Sequence, residues 1–235
     1  MKTIGLIGGM SWESSAEYYR IINEIVNARL GGVHSADCLM YSFDFQEIEA
    51  LQMAGDWDTA TQRMIGAAQR LQRGGADLVL ICTNTMHRMA DAVQNSIDLP
   101  LLHIADPTAE AVKAKGIRKV GLLGTMFTMT GDFYRGRLRD KHGLEVLVPD
   151  AAGRQIVHDI IYNELVVGEV RPESRARYQA IIEDLAAAGA EGVILGCTEI
   201  MLLIQQPHSP IPVFDTTYLH AAAAVEIALK SNTPQ

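Results

Sequence analysis

Cysteine is scarce in this 235-residue chain. Only Cys38, Cys82 and Cys197 occur. An odd count at such wide spacing excludes a disulfide framework and a zinc motif, so each cysteine is a buried hydrophobe or a reactive thiol. Charge is limited too. Charged residues make up 20% of the chain against 48% apolar ones, which excludes intrinsic disorder. No uncharged apolar run approaches the roughly 18 residues that a spanning helix needs, so no membrane partner is expected. No cluster of Lys and Arg is evident, and 20 basic against 28 acidic residues leave a net charge of -8. That argues against a nucleic-acid partner. Anionic small molecules stay open, because local backbone N–H groups bind them even in an acidic protein. The start, Met1-Lys2-Thr3, runs straight into a short apolar segment without the features of a signal peptide. A cytoplasmic protein is the expectation.

What is present is a strand–helix alternation. Short apolar runs at 4–7, 38–43, 78–82 and 100–104 read as buried strands. Between them lie helical stretches, one capped by Ser14 or Ser15 and stopped by Gly31-Gly32, another over 59–71 ended by Gly74-Gly75. The rhythm restarts at Lys119, with a clear helix carrying Tyr178, Ile181, Ile182 and Leu185 and strands near 193–195 and 213–214. Apolar strands alternating with helices predict parallel sheets covered on both faces.

The restart is a repeat. Gly5-Leu6-Ile7-Gly8-Gly9-Met10 matches Gly121-Leu122-Leu123-Gly124-Thr125-Met126. The run from Gly75 to Thr83 matches the run from Gly189 to Cys197, and Pro100-Leu101-Leu102-His103 matches Pro212-Val213-Phe214-Asp215. Three matches in one order predict an α/β protein of two similar parallel-sheet domains related by pseudo-twofold symmetry. The expected halves are 1–115 and 116–235, with a C-terminal helix near 218–230 packing back on the first. The repeat makes Thr83 and Cys197 equivalent, each just past a buried strand. Ligands of open α/β sheets bind beyond the strands' carboxyl ends, so the two residues are expected on opposite walls of a cleft between the halves.

Local chemistry supports a small-molecule site. Gly8-Gly9-Met10-Ser11 joins a strand to a helix and offers N–H groups to a carboxylate or phosphate, or is an ordinary tight turn. It is neither G-x-G-x-x-G nor a Walker loop, so no nucleotide is implied. Cys82-Thr83-Asn84-Thr85 reads as a helix cap that also presents such groups. Cys197 opens a helix in Gly196-Cys197-Thr198-Glu199, a setting that favours the thiolate and predicts a pKa below about 8.5. Cys38 reads as core. Cys82 points away from Thr83 on an extended chain and also reads as core. His103 and Asp215 occupy equivalent strand ends, to polarise a base or merely to cap. His87, one turn after Thr83, reads as a surface or supporting histidine.

Together, Gly8-Gly9-Met10-Ser11, Thr83-Asn84-Thr85 with His87, and Gly196-Cys197-Thr198-Glu199 resemble the aspartate/glutamate racemase family over essentially the whole chain. The resemblance implies a cofactor-independent, metal-free enzyme in which two facing thiols form a two-base pair. Carried onto this chain, the catalytic positions are Cys197, acting on the L enantiomer, and Thr83. Met10, Ser11, Asn84, Thr85 and Thr198 would hold the α-carboxylate and amine. The resemblance also implies a homodimer.

The chain departs from the family pattern at Thr83-Asn84-Thr85, where most members have Cys-Asn-Thr. A threonine hydroxyl is a far weaker acid and base than a thiol. A second substrate carboxylate wants Arg or Lys, yet 35–62 contains neither and offers Gln52 as a hydrogen-bonding group. Acidic amino acids are the first expectation, and a neutral or broad range is the nearest competitor. A cysteine hydrolase using His103 or His87 as base, a non-catalytic amino-acid sensor, and hydantoin or malonate chemistry are the further alternatives.

Overall fold

The structure, a computed structural model, describes residues 1–230. The last five residues of the expected second half therefore lie outside the described residues. The chain divides into two compact units, one of Met1–His103 with the chain from His220 onward, the other of Ile104–Leu219.

In the first unit, β1 (Ile4–Gly8), β2 (Cys38–Ser42), β3 (Leu78–Ile81) and β4 (Leu101–Leu102) form a parallel sheet in the order β2-β1-β3-β4. Alternation along the strands splits the apolar residues between the two faces. Ile7, Val79 and Ile81 point to one core and Ile4, Leu6, Leu78, Leu80 and Cys82 to the other. Helix α1 (Trp12–Leu30) covers the second face through Tyr18, Ile21, Ile22 and Val26. Its cap is Ser11, whose hydroxyl accepts from the Ser14 N–H at 3.3 Å, so Ser14 and Ser15 lie inside the first turn rather than capping it. Helix α2 (Phe45–Ala54) follows β2, and α3 (Trp57–Arg73) lays Ala60, Met64, Ala67, Ala68 and Leu71 on the first face. Each large apolar side chain buried this way contributes about 1.5–3 kcal/mol. Cys38 is the first residue of β2 and only half-buried, packed against the second core rather than inside it, which corrects the core reading. A short helix, α4 (Ala90–Gln94), leads to β4.

The second unit begins with α5 (Ala105–Ala114), before the expected boundary. Ala105, Ala109 and Val112 of α5 pack with Val120, Leu122, Ile194 and Phe214, which is why the helix belongs here. Asp106 reinforces that attachment. It accepts two 2.7 Å hydrogen bonds from Arg137, one of 2.8 Å from Lys141, and lies 2.8 Å from His142 Nε2. Burial alone would raise its pKa, but these three partners hold the carboxyl well below the usual range. The sheet is built from β5 (Lys119–Gly124), β6 (Glu145–Leu147), β7 (Gly192–Gly196) and β8 (Val213–Asp215) in the order β6-β5-β7-β8. Short helices α6 (Met126–Thr130) and α7 (Asp132–Gly136) follow β5, while α8 (Ala151–Asn163) and α9 (Pro172–Ala187) cover one face. Helix α10 (Ile200–Leu203) is a single turn, and α11 (Thr216–Leu229) returns the chain to the first unit, adding Ala221, Ala224, Val225 and Ala228 to its core.

The repeat extends to register. Ile7 pairs with Ile81 and Leu123 with Leu195; these are the matched positions of the two halves. Val79 pairs with Leu101 and Val193 with Val213 in the same correspondence. Both sheets thus present the turns after their first and third strands side by side at the carboxyl edge.

Candidate active site

In the first unit, that edge carries the Gly9-Met10-Ser11 turn after β1 and the Cys82–Thr85 turn after β3. Gly9 has φ +77°, and a Cβ there would lie 2.2 Å from the Phe43 carbonyl oxygen, so only glycine fits. Its N–H donates to Ser15 Oγ at 2.7 Å and is already committed. The Met10 side chain is buried in the core, leaving its backbone for any ligand. Cys82 is fully buried, and burial pushes its thiol far above the ordinary range, which removes it as a substitute for a base at 83. Thr83 is half-buried, whereas Asn84 and Thr85 are buried. Gln52 reaches this turn from α2, its Nε2 donating to Met86 Sδ at 3.2 Å.

His87 is only 2% exposed, which removes the surface alternative and leaves the supporting one. Its Nδ1 lies 2.8 Å from the Thr83 carbonyl oxygen, and its ring lies 4.5 Å from that of His103, centroid to centroid.

In the second unit, the turn after β7 holds Cys197, Thr198 and Glu199. Gly124 and Gly196 pair in register, and a Cβ on Gly124 would sit 2.7 Å from the Gly196 oxygen. That close approach sets the Thr125 turn beside Cys197. The Cys197 thiol donates to Glu199 Oε2 at 2.9 Å, and the Thr198 hydroxyl donates to the same oxygen at 2.8 Å. Glu199 is 4% exposed.

The thiol's electrostatics run opposite to the sequence expectation. Burial, then the Glu199 charge and its hydrogen bond, push the Cys197 pKa well above the usual thiol value. The backbone N–H groups of Thr198 and Glu199 work the other way and are outweighed. The one-turn α10 supplies too little dipole to offset a carboxylate in direct contact. Cys197 therefore rests as a thiol with a proton acceptor already in contact. Glu199 received no role from sequence reasoning, although its place two residues after Cys197 was the available signal. Asp215 caps α11, its Oδ1 accepting from the Thr217 and Tyr218 N–H groups at 2.9 and 3.3 Å.

The sequence pattern of the Asp/Glu/hydantoin racemases matches residues 7–224. The chain belongs to that family. It is 53% identical to a nominal Asp/Glu racemase of Yersinia pestis, whose crystal structure superposes with a TM-score of 0.92 over 98% of this chain and 100% of that one. An aspartate racemase homologue from Pyrococcus horikoshii is 37% identical, with a TM-score of 0.84 over 97% of this chain and 99% of that chain. A broad specificity amino-acid racemase of Bacillus subtilis, RacX, is 23% identical over 96% of this chain and 98% of its own length. Within this racemase family, the chain is read as an isomerase. Among the described residues, no helix is long and apolar enough to cross a membrane, and no group of three or more His, Cys, Asp or Glu is placed to hold a metal ion.

Proposed function

We propose that the protein inverts the α-carbon of amino acids without a cofactor, with L-aspartate and L-glutamate as first substrates. The observation that carries this reading is the Cys197–Glu199 pair on the position that the duplication matches with Thr83. The reading requires the two turns to flank one α-carbon. Glu199 takes the thiol proton, and the Cys197 thiolate then removes the α-proton of the L enantiomer. The carbanion needs fixed donors around its carboxylate. Ser11, Asn84 and Thr85 supply them, with the backbone of Met10, while the Thr198 hydroxyl, whose proton goes to Glu199, accepts from the substrate amine. Thr83, or a water it positions, returns a proton to the opposite face, and the alkoxide or hydroxide left there is reprotonated through solvent by the proton that Glu199 holds.

A hydroxyl gives and takes protons far less readily than a thiol near neutral pH. Inversion is therefore slower than proton exchange at the Cys197 face. The enantiomers are equally stable, so a slow Thr83 step limits both directions alike and no one-way racemase results. The test follows α-deuterium uptake and optical rotation together, starting from L-glutamate in heavy water. Uptake outrunning inversion supports the reading, and equal rates from the first turnover sink it.

One observation favours a broader range. The side chain offered to a second substrate carboxylate is the neutral Gln52, already bonded to Met86. A chirality assay over acidic and neutral amino acids decides between the two ranges. The protein is further proposed to act in the cytoplasm as a homodimer, for which sequence resemblance is the support; light scattering of the pure protein tests the assembly.

A further inference from the structure

We infer that His87 is a positioning residue for the Thr83 step, through the hydrogen bond between its Nδ1 and the Thr83 carbonyl oxygen. The inference rests on the racemase reading above. A carbonyl oxygen only accepts, so at 2.8 Å Nδ1 must carry the proton. That bond fixes the peptide between Thr83 and Asn84. It holds the Thr83 backbone, and it polarises the N–H of the same peptide, that of Asn84.

His87 is itself held. Its ring packs 4.5 Å from that of His103, at the end of β4, and 5.7 Å from that of His220 on α11. His220 Nε2 lies 2.8 Å from the Leu102 carbonyl oxygen and therefore donates to it. Its Nδ1 lies 2.8 Å from the Tyr18 hydroxyl, so a neutral His220 accepts there. Tyr18 and His220 are both fully buried. The chain Tyr18–His220–His87–Thr83 thus ties α1, α11 and the end of β4 to the turn after β3, all within the first unit.

The second half lacks this device. Counting from the matched pair Thr83 and Cys197, the position of His87 falls on Met201, which has no N–H donor in its side chain. The clamp stands only in the half whose base is a hydroxyl. A weak base gains most from fixed placement, and a displacement near 1 Å costs about 100-fold in rate.

The test compares His87→Asn, His87→Gln and His87→Leu in the full-length protein. Asparagine places an amide N–H near the Nδ1 position, glutamine places it near Nε2, and leucine has none. With L-glutamate in heavy water, α-deuterium uptake reads the Cys197 face and optical inversion reads the Thr83 face. For the Gln and Leu variants, inversion is expected to fall about 100-fold, while uptake stays within about threefold of wild type. The Asn variant is expected to recover most of the inversion. Gln and Asn variants that invert equally overturn the inference, as does a Leu variant that inverts like wild type. If Leu does not fold, the Asn–Gln contrast decides alone. Absence of both uptake and inversion in the wild type overturns the racemase reading itself, and His87's role with it. Normal wild-type turnover with no Asn–Gln difference removes only the role of His87.

Discussion

Replacing Glu199 with glutamine separates two effects that its carboxylate has on Cys197. The carboxylate opposes ionisation of the thiol by its charge, and it receives the thiol's proton. With the Sγ to Oε2 contact at 2.9 Å, the charge centres of thiolate and carboxylate lie about 4 Å apart. At an effective dielectric near 20, that repulsion is about 4 kcal/mol, or about three decades in thiolate population. Cys197 is half-buried rather than sealed, and solvent screening reduces the effect to about one or two decades. A thiolate of lower pKa is also a poorer nucleophile, with a Brønsted slope of about 0.4–0.5. Iodoacetamide should therefore alkylate the Gln variant about three- to tenfold faster than wild type near pH 7. Racemisation should move the other way and fall about 100-fold, because the amide no longer takes the proton. The assay is parallel: alkylation followed by mass spectrometry, and turnover followed by polarimetry. Alkylation that slows in the variant, or turnover that survives intact, refutes the pairing.

Thr83→Cys should raise the inversion rate about tenfold or more toward that of a symmetric thiol pair; a polarimetric rate no better than wild type means that position 83 does not face the α-carbon. Asp106→Asn should cost about 2–4 kcal/mol, because Arg137 loses its charged partner in a largely buried site; an unchanged melting temperature argues against Asp106 as the tie between α5 and its unit. The sign with pH follows from the depressed carboxyl: its stabilisation is complete above the ordinary Asp range near 4 and is lost progressively as pH falls below it. Acid titration of the Asn variant should therefore show a shallower loss of stability than wild type, as measured by thermal melts across pH.

Features carried by the backbone were legible in the sequence. The three matched segments correspond to one strand order and one register in both sheets, because short apolar runs with flanking glycines specify buried parallel strands. The burial of Cys82 followed from alternation alone. What depended on side chains meeting after folding was not legible. A helix-start argument gave Cys197 a low pKa, and burial together with the Glu199 carboxylate at 2.9 Å reverses it. The surface and supporting readings of His87 stayed open in the sequence because its partners, His103 and His220, lie outside its own turn. The α1 cap moved to Ser11 because three nearby serines offered equivalent signals. Helix α5 was assigned to the wrong side of the expected boundary because its attachment is made by Asp106 with residues 31 to 36 positions later.

The shared strand order and register give the molecule an internal standard. Scaffold effects on a residue after the third strand are sampled twice in one chain, under one temperature, one pH and one folding history. Where two matched positions differ, as Thr83 and Cys197 do, strand order and register are held constant and the difference lies in the side chains and their immediate partners. A substitution made at one position can then be read against its counterpart without recourse to a second protein.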